Sequence, residues 1–136
     1  MSIKYWGALA VFCGLILGAL PASAHHSVAA EYDLDKTIDF KGSLVQMEFI
    51  NPHAMLHLEV TNQDGSKTIW IFQTTAAGTL REKGLARAEH GGLAVGMNLE
   101  IVGCPAKNGM PRGYIKSFKL PDGREITVWH GDPNGN

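Results

Sequence analysis

The sequence has almost no cysteine, with Cys13 and Cys104 the only two in 136 residues. That count excludes a disulfide scaffold and leaves no paired C-x₂-C site for a structural metal. It also lacks an excess of either charge. Twelve Lys+Arg stand against 13 Asp+Glu, no basic cluster occurs, and the formal net charge is −1. A protein of this kind carries no electrostatic footprint for nucleic acid. Long apolar runs are missing too. The longest, Gly7 to Leu20, falls short of the roughly 20 residues that a membrane-spanning helix needs. No G-x-S-x-G elbow and no glycine-rich phosphate loop is present, so neither hydrolase nor nucleotide chemistry has its usual signature.

What is present begins with an export pattern. Lys4 supplies a positive charge, Gly7 to Leu20 an apolar stretch, and Ala22-Ser23-Ala24 the small residues that precede a cleavage point. Residues 1–24 are expected to be a cleaved signal peptide, and the mature chain is expected in the periplasm or secreted, with no membrane association after cleavage. Removing 24 residues leaves 112, enough for one modest domain. It also leaves Cys104 alone, which reads as a small core residue at a strand end before Pro105.

Residues 25–37 show neither helical nor strand periodicity and read as an extended N-terminal arm. From Ile38 the pattern is that of strands. Ile38, Phe40 and Leu44 share one phase and Val45, Met47 and Phe49 the other, so the phase flips near Gly42-Ser43. A glycine at such a flip predicts a bend or bulge. Strands are further expected at Ala54 to Thr61, Thr68 to Thr74, Met97 to Gly103, Gly113 to Leu120 and Glu125 to Trp129, separated by turn signals such as Asp64-Gly65, Asn108-Gly109 and Asp122-Gly123. Thr79 with Glu82 three residues on predicts a capping box opening a short helix, with Leu80 and Leu85 on one side of it. The tail, residues 131–136, is expected to be disordered. Three strands, a short helix and two or three more strands make an all-β domain over residues 38–130, a small OB-fold-like barrel of five to six strands.

If Asp64-Gly65 is a two-residue hairpin loop, each opposed pair on the second and third strands has residue numbers summing to 129. Val60 then faces Ile69 and Leu58 faces Ile71 on a buried aliphatic side. The other side shows Met55, His57, Glu59, Trp70 and Phe72, with Glu59 opposite Trp70, His57 opposite Phe72 and Met55 opposite Thr74. That side is where an OB-fold commonly takes its ligand. The expected ligand is a small molecule, a peptide or a protein partner.

The mature start His25-His26-Ser27, the Glu31-Tyr32-Asp33 stretch, Gly42 to Glu48, Asn51-Pro52-His53-Ala54, Asp64-Gly65, Trp70, Leu80, Gly84 and Leu120-Pro121-Asp122-Gly123-Arg124 together resemble a family of small exported bacterial proteins of unknown function. The likeness spans nearly the whole mature chain, with Gln73 standing where the family pattern leads one to expect an acidic residue. The resemblance implies an OB-like periplasmic domain and implies no activity.

All six histidines follow Ala24. After processing, His25 would offer both an α-amine and an imidazole, and His26 a second imidazole, ligands that copper and zinc favour. His53 and His57 are the barrel histidines that would complete such a site. On a strand they are about 13 Å apart, too far to chelate one ion between them. For catalysis, Cys104 with His90 is the one nucleophile–base pair to weigh, and nothing in the spacing places them together. Asp33, Asp35 and Asp39 lack the glycine and distal glutamate of a calcium loop. The sequence therefore leads to a non-catalytic, exported binding or accessory domain, or alternatively to a copper- or zinc-binding protein using His25, His26, His53 and His57.

Overall fold

A computed structural model describes residues 28–129. Its elements are α1 (Val28–Glu31), β1 (Ile38–Glu48), β2 (Met55–Thr61), β3 (Lys67–Gln73), α2 (Ala77–Glu82), a 3₁₀ turn (Ala88–His90), β4 (Asn98–Pro105), β5 (Arg112–Lys119) and β6 (Glu125–Thr127). The sheet runs β3-β2-β1-β4-β5-β6, and a parallel pairing of β3 with β5 closes the first five strands into a barrel. This is OB-fold connectivity, with β6 added to the far end of β5 and α2 between β3 and β4.

β1 serves two neighbours because it bends. Ile38 to Ser43 pairs with β4, while Gly42 to Glu48 pairs with β2. At the overlap, a Cβ on Gly42 would run into the Glu59 carbonyl oxygen and the Leu58 side chain. Glycine is what lets the two backbones approach at this corner. The phase change itself comes later than the glycine suggested. The register slips between Leu44 and Gln46, so Val45 is the bulged residue and is left exposed.

The β2–β3 hairpin departs from expectation by one residue. Its partners sum to 128: Leu56 opposes Phe72, Leu58 opposes Trp70 and His57 opposes Ile71. The cause is the turn. Asn62 and Ser66 close it (Asn62 N–H to Ser66 O, 2.8 Å), leaving Gln63, Asp64 and Gly65 as a three-residue loop. Gly65 takes the left-handed conformation, φ 83°, that such a loop requires at its last position. The Asp64 carboxylate accepts from the Ser66 N–H and hydroxyl at 2.9 and 2.6 Å and holds the turn in that form. An odd loop shifts the register by one and reverses which side of β3 faces inward.

Leu56, Leu58 and Phe72 consequently point into the barrel with Leu44, Leu99, Ile101, Ile115 and Phe118, and Trp70 packs against them. The Phe40 ring lies 4.3 Å from Trp70 and 5.0 Å from Phe72, centroid to centroid. α2 adds Leu80, and Leu85 just beyond it, to the same core. The expected capping box does not form. Thr79 lies inside α2, whose N-cap is Ala76 without a side-chain bond. What fixes this helix is its other end. The Leu85 N–H reaches back to the Leu80 carbonyl while Gly84 sits at φ 80°, a Schellman closure that also buries both leucines.

Residues 28–31, read from the sequence as part of an extended arm, form a helical turn, and the segment is fastened to the barrel. Asp33 N–H donates to the Pro105 carbonyl and Lys107 N–H to the Glu31 carbonyl, both at 2.9 Å. Val28 and Tyr32 are buried against Cys104 and Tyr114 in a second, smaller apolar cluster outside the barrel wall.

Candidate functional site

The pairing of β1, β2, β3 and β5 sets out the barrel's outer face in rows, because paired residues share a side of the sheet. One row is Glu48, Met55, Gln73 and Tyr114; the next is Gln46, His57, Ile71 and Arg112; a third holds Ser43, Glu59 and Ile69. The β1–β2 loop, carrying exposed Ile50, leads into the first row. The β4–β5 loop, carrying exposed Met110, leads into the second. Ile69 is 42% exposed although it sits mid-strand. Isoleucine in that position needs an outward-facing parity to be so wet, and the odd turn supplies it.

Met55, His57 and Glu59 thus face outward as the sequence led us to expect. Trp70 and Phe72 do not: both belong to the core, and Ile69, Ile71 and Gln73 take their place on the face. The sequence signal for the swap was the length of the turn. Alternation along β3 is equally apolar in either phase, so the turn alone decides it.

The polar groups on this face are mostly held. His57 Nε2 lies 2.9 Å from Glu48 Oε1, which also accepts from Gln46 Nε2 at 3.1 Å. Glu59 takes a 2.6 Å bond from Lys67 Nζ. A carboxylate only accepts, so His57 Nε2 carries the proton and Nδ1 keeps the lone pair when the ring is neutral. The same reasoning applies to His53, whose Nδ1 lies 3.2 Å from the Thr74 carbonyl and must donate to it, leaving Nε2 as the free acceptor. His25 and His26 lie outside the described residues. Among the described residues no three His, Cys, Asp or Glu side chains are grouped to hold a metal ion.

Toward the N-terminal segment the face becomes more buried. Tyr32 O–H donates to Gln73 Oε1 at 3.1 Å, and its ring lies 5.7 Å from that of Tyr114. Burial raises the Tyr32 and Tyr114 phenols above the ordinary tyrosine value and the Cys104 thiol above the ordinary cysteine value. Cys104 is fully enclosed, as its place at a strand end before Pro105 suggested. His90 stands elsewhere, in a crevice with Phe49, Asn51, Arg81 and Arg87, so the structure does not bring the Cys104–His90 pair together. Among the described residues no helix is long and apolar enough to cross a membrane.

The profile of the Family of unknown function (DUF6152) matches residues 13–128. The chain belongs to this family. No curated protein and no solved structure matches it. Membership of DUF6152 bears out the resemblance to a family of unknown function read from the sequence. Of the stretches that carry the resemblance, EYD places Tyr32 against the barrel and NPHA places His53 on the Thr74 carbonyl.

Proposed function

We propose that this chain is an exported, periplasmic, non-catalytic binding or accessory domain. Its ligand is a small molecule, peptide or protein partner, taken on the outer face of β2 and β3 between the β1–β2 and β4–β5 loops. The observation that carries this reading is the face itself: half-exposed Ile69 with Met55 and Ile71, framed by exposed Ile50 and Met110, and interleaved with polar groups already fixed in pairs. OB-folds commonly use these strands and loops for recognition. Glu48 and Glu59 on the face, with the balanced charge of the chain, favour a partner other than nucleic acid. The Lys4, Gly7–Leu20 and Ala22-Ser23-Ala24 pattern supports export. Native mass spectrometry of the protein from its own compartment tests the whole reading. The expected species begins at His25 and retains a ligand mass that Ile71→Asp abolishes. A chain retaining residues 1–24, or ligand retention indifferent to Ile71→Asp, contradicts it.

A second reading is copper or zinc binding by His25 and His26 with His53 or His57. It is favoured by the tautomers: each barrel histidine has one ring nitrogen tied to an oxygen acceptor and the other left with a lone pair, the arrangement common in metal-bound histidine. One alanine added before His25 breaks the amine–imidazole chelate and leaves every imidazole in place. Calorimetry with Cu(II) should then show at least a tenfold loss, about 1.4 kcal/mol. Equal affinity of the extended protein rules the terminal site out.

A further inference from the structure

Arg112 opens β5 and is paired across the seam with Ile71, at the edge of the outer face. It is half-buried, and its Nε is shut off from solvent with no hydrogen-bond partner. Among the described residues it makes no ion pair, as is also true of Arg81, Lys83, Arg87, Lys107 and Lys116; what sets it apart is the enclosed, unsatisfied Nε. Gln73, in the next row of the face, is neutral, and its Oε1 is taken by Tyr32. The guanidinium lies against the Tyr32 hydroxyl but has no carboxylate, and its Nε has no acceptor; a buried donor without an acceptor is costly and uncommon.

Beside it lies a crevice of about 380 Å³, between α1 and the β4–β5 loop, lined by Glu31, Tyr32, Lys107, Asn108 and Arg112. Lys107 Nζ is steered there by a 2.7 Å bond to the Ala29 carbonyl, which uses one of its three protons. Two cations and one carboxylate make the lining net positive. The volume is that of a small-ligand site.

We propose that this crevice binds a small oxyanion, the carboxylate or phosphate group of the ligand that the outer face takes, with Arg112 as its main partner and Lys107 as its second. The inference rests on the face being a binding face and names the chemistry of the ligand's charged end. A carboxylate or phosphate oxygen pair matches the guanidinium fork, and a turn of the Arg112 side chain presents Nε and Nη side by side to it. The Tyr32 hydroxyl and the Asn108 amide border the same space, and Glu31 sets a limit on how much negative charge the site accepts.

The test is a proton–nitrogen NMR titration of the purified protein, following the Arg112 Nε–H and the amides of Glu31, Tyr32, Lys107 and Asn108. Sodium acetate and sodium phosphate form the two arms, and sodium chloride at matched ionic strength is the control. Saturable shifts with acetate or phosphate beyond those with chloride are expected, and the arm that saturates lower tells carboxylate from phosphate. Arg112→Gln should weaken binding at least tenfold, Arg112→Lys nearly as much because the fork is lost, and Lys107→Gln severalfold. Glu31→Gln should tighten it. Arg124→Gln, whose native partner is Asp122, should leave it unchanged. If Arg112→Gln does not fold, the opposite effects of Lys107→Gln and Glu31→Gln still decide. Shifts no larger than chloride's, or Arg112 and Lys107 variants that bind as well as the native chain, overturn the proposal. Loss of the ligand-retention effect of Ile71→Asp would instead remove the face reading and leave these shifts as they are.

Discussion

The two apolar clusters are built on different terms. The inner one is made by strand alternation. Leu44, Leu56, Leu58, Phe72, Leu99, Ile101, Ile115 and Phe118 come from five strands, and none can ionise. The outer one is made chiefly by a short segment laid on the wall, with Trp129 and Ala106 packed beside it. Val28 and Tyr32 cover Cys104 and Tyr114, and three of these four side chains titrate. Closing the barrel secures the first cluster many times over, while the second lasts only as long as residues 28–34 stay docked. The contrast explains the outer face as well: the N-terminal segment finishes one part of it, and the part around His57, Ile69 and Ile71 stays open.

The largest expected effect lies in the inner cluster. Phe72→Ala should cost about 3–5 kcal/mol in denaturant unfolding, the range for a buried aromatic, and should lower the stability of the whole domain together. A loss below about 1 kcal/mol would mean that β3 faces the other way. In the outer cluster, Tyr32→Ala should release residues 28–34 with a smaller global loss than Phe72→Ala, seen as faster amide exchange at Asp33 and Lys107 while the exchange of β2 holds. If β2 exchanged faster to the same extent, the two clusters would be one cooperative unit.

Alkaline pH should separate them without mutation. The folded-state values of Cys104, Tyr32 and Tyr114 are raised by burial, so the docked state prefers their protonated forms. The stabilisation is complete below the ordinary thiol and phenol values and is lost as pH rises through the raised ones. Undocking of the N-terminal segment should therefore begin above about pH 9, the ordinary thiol value. It should be visible in the fluorescence of Trp129, whose ring is 5.8 Å from Tyr114. Barrel unfolding at the same pH would contradict the separation. Smaller still is Tyr32→Phe, which deletes the bond to Gln73 and should cost about 1 kcal/mol. Smallest is Ile69→Ala, on the open face, under about 1 kcal/mol in thermal melts.

The barrel was legible because strand phases, turn residues and a lone short helix leave few topologies with short connections. Gly42 as a corner and Leu58 as core followed from the same pattern. The hairpin register was not legible in the same way. Ile69 and Ile71 are as apolar as Trp70 and Phe72, so parity rested on whether Asp64-Gly65 spans two residues or closes a loop of three, a choice made by the Asp64–Ser66 bonds. The docking of Tyr32 was hidden for another reason: a four-residue helical turn carries too few residues to show a period, and its partners Cys104 and Tyr114 lie more than 70 positions away. Arg112 gave no signal at all, since a missing partner is a property of the folded chain.

The parity of β3 decides which residues form the candidate face, and thiol labelling reads it directly. Ile69→Cys and Phe72→Cys, each in a Cys104→Ala background, would be exposed to an uncharged thiol reagent under native conditions, with labelling rates compared with those in denaturant. The structure predicts that Ile69→Cys reacts nearly as fast as the denatured control and that Phe72→Cys reacts at least about a hundredfold more slowly, since access to it requires unfolding. Rapid labelling at position 72 with protection at position 69 would turn the hairpin over and with it the face, the core and the site proposed here.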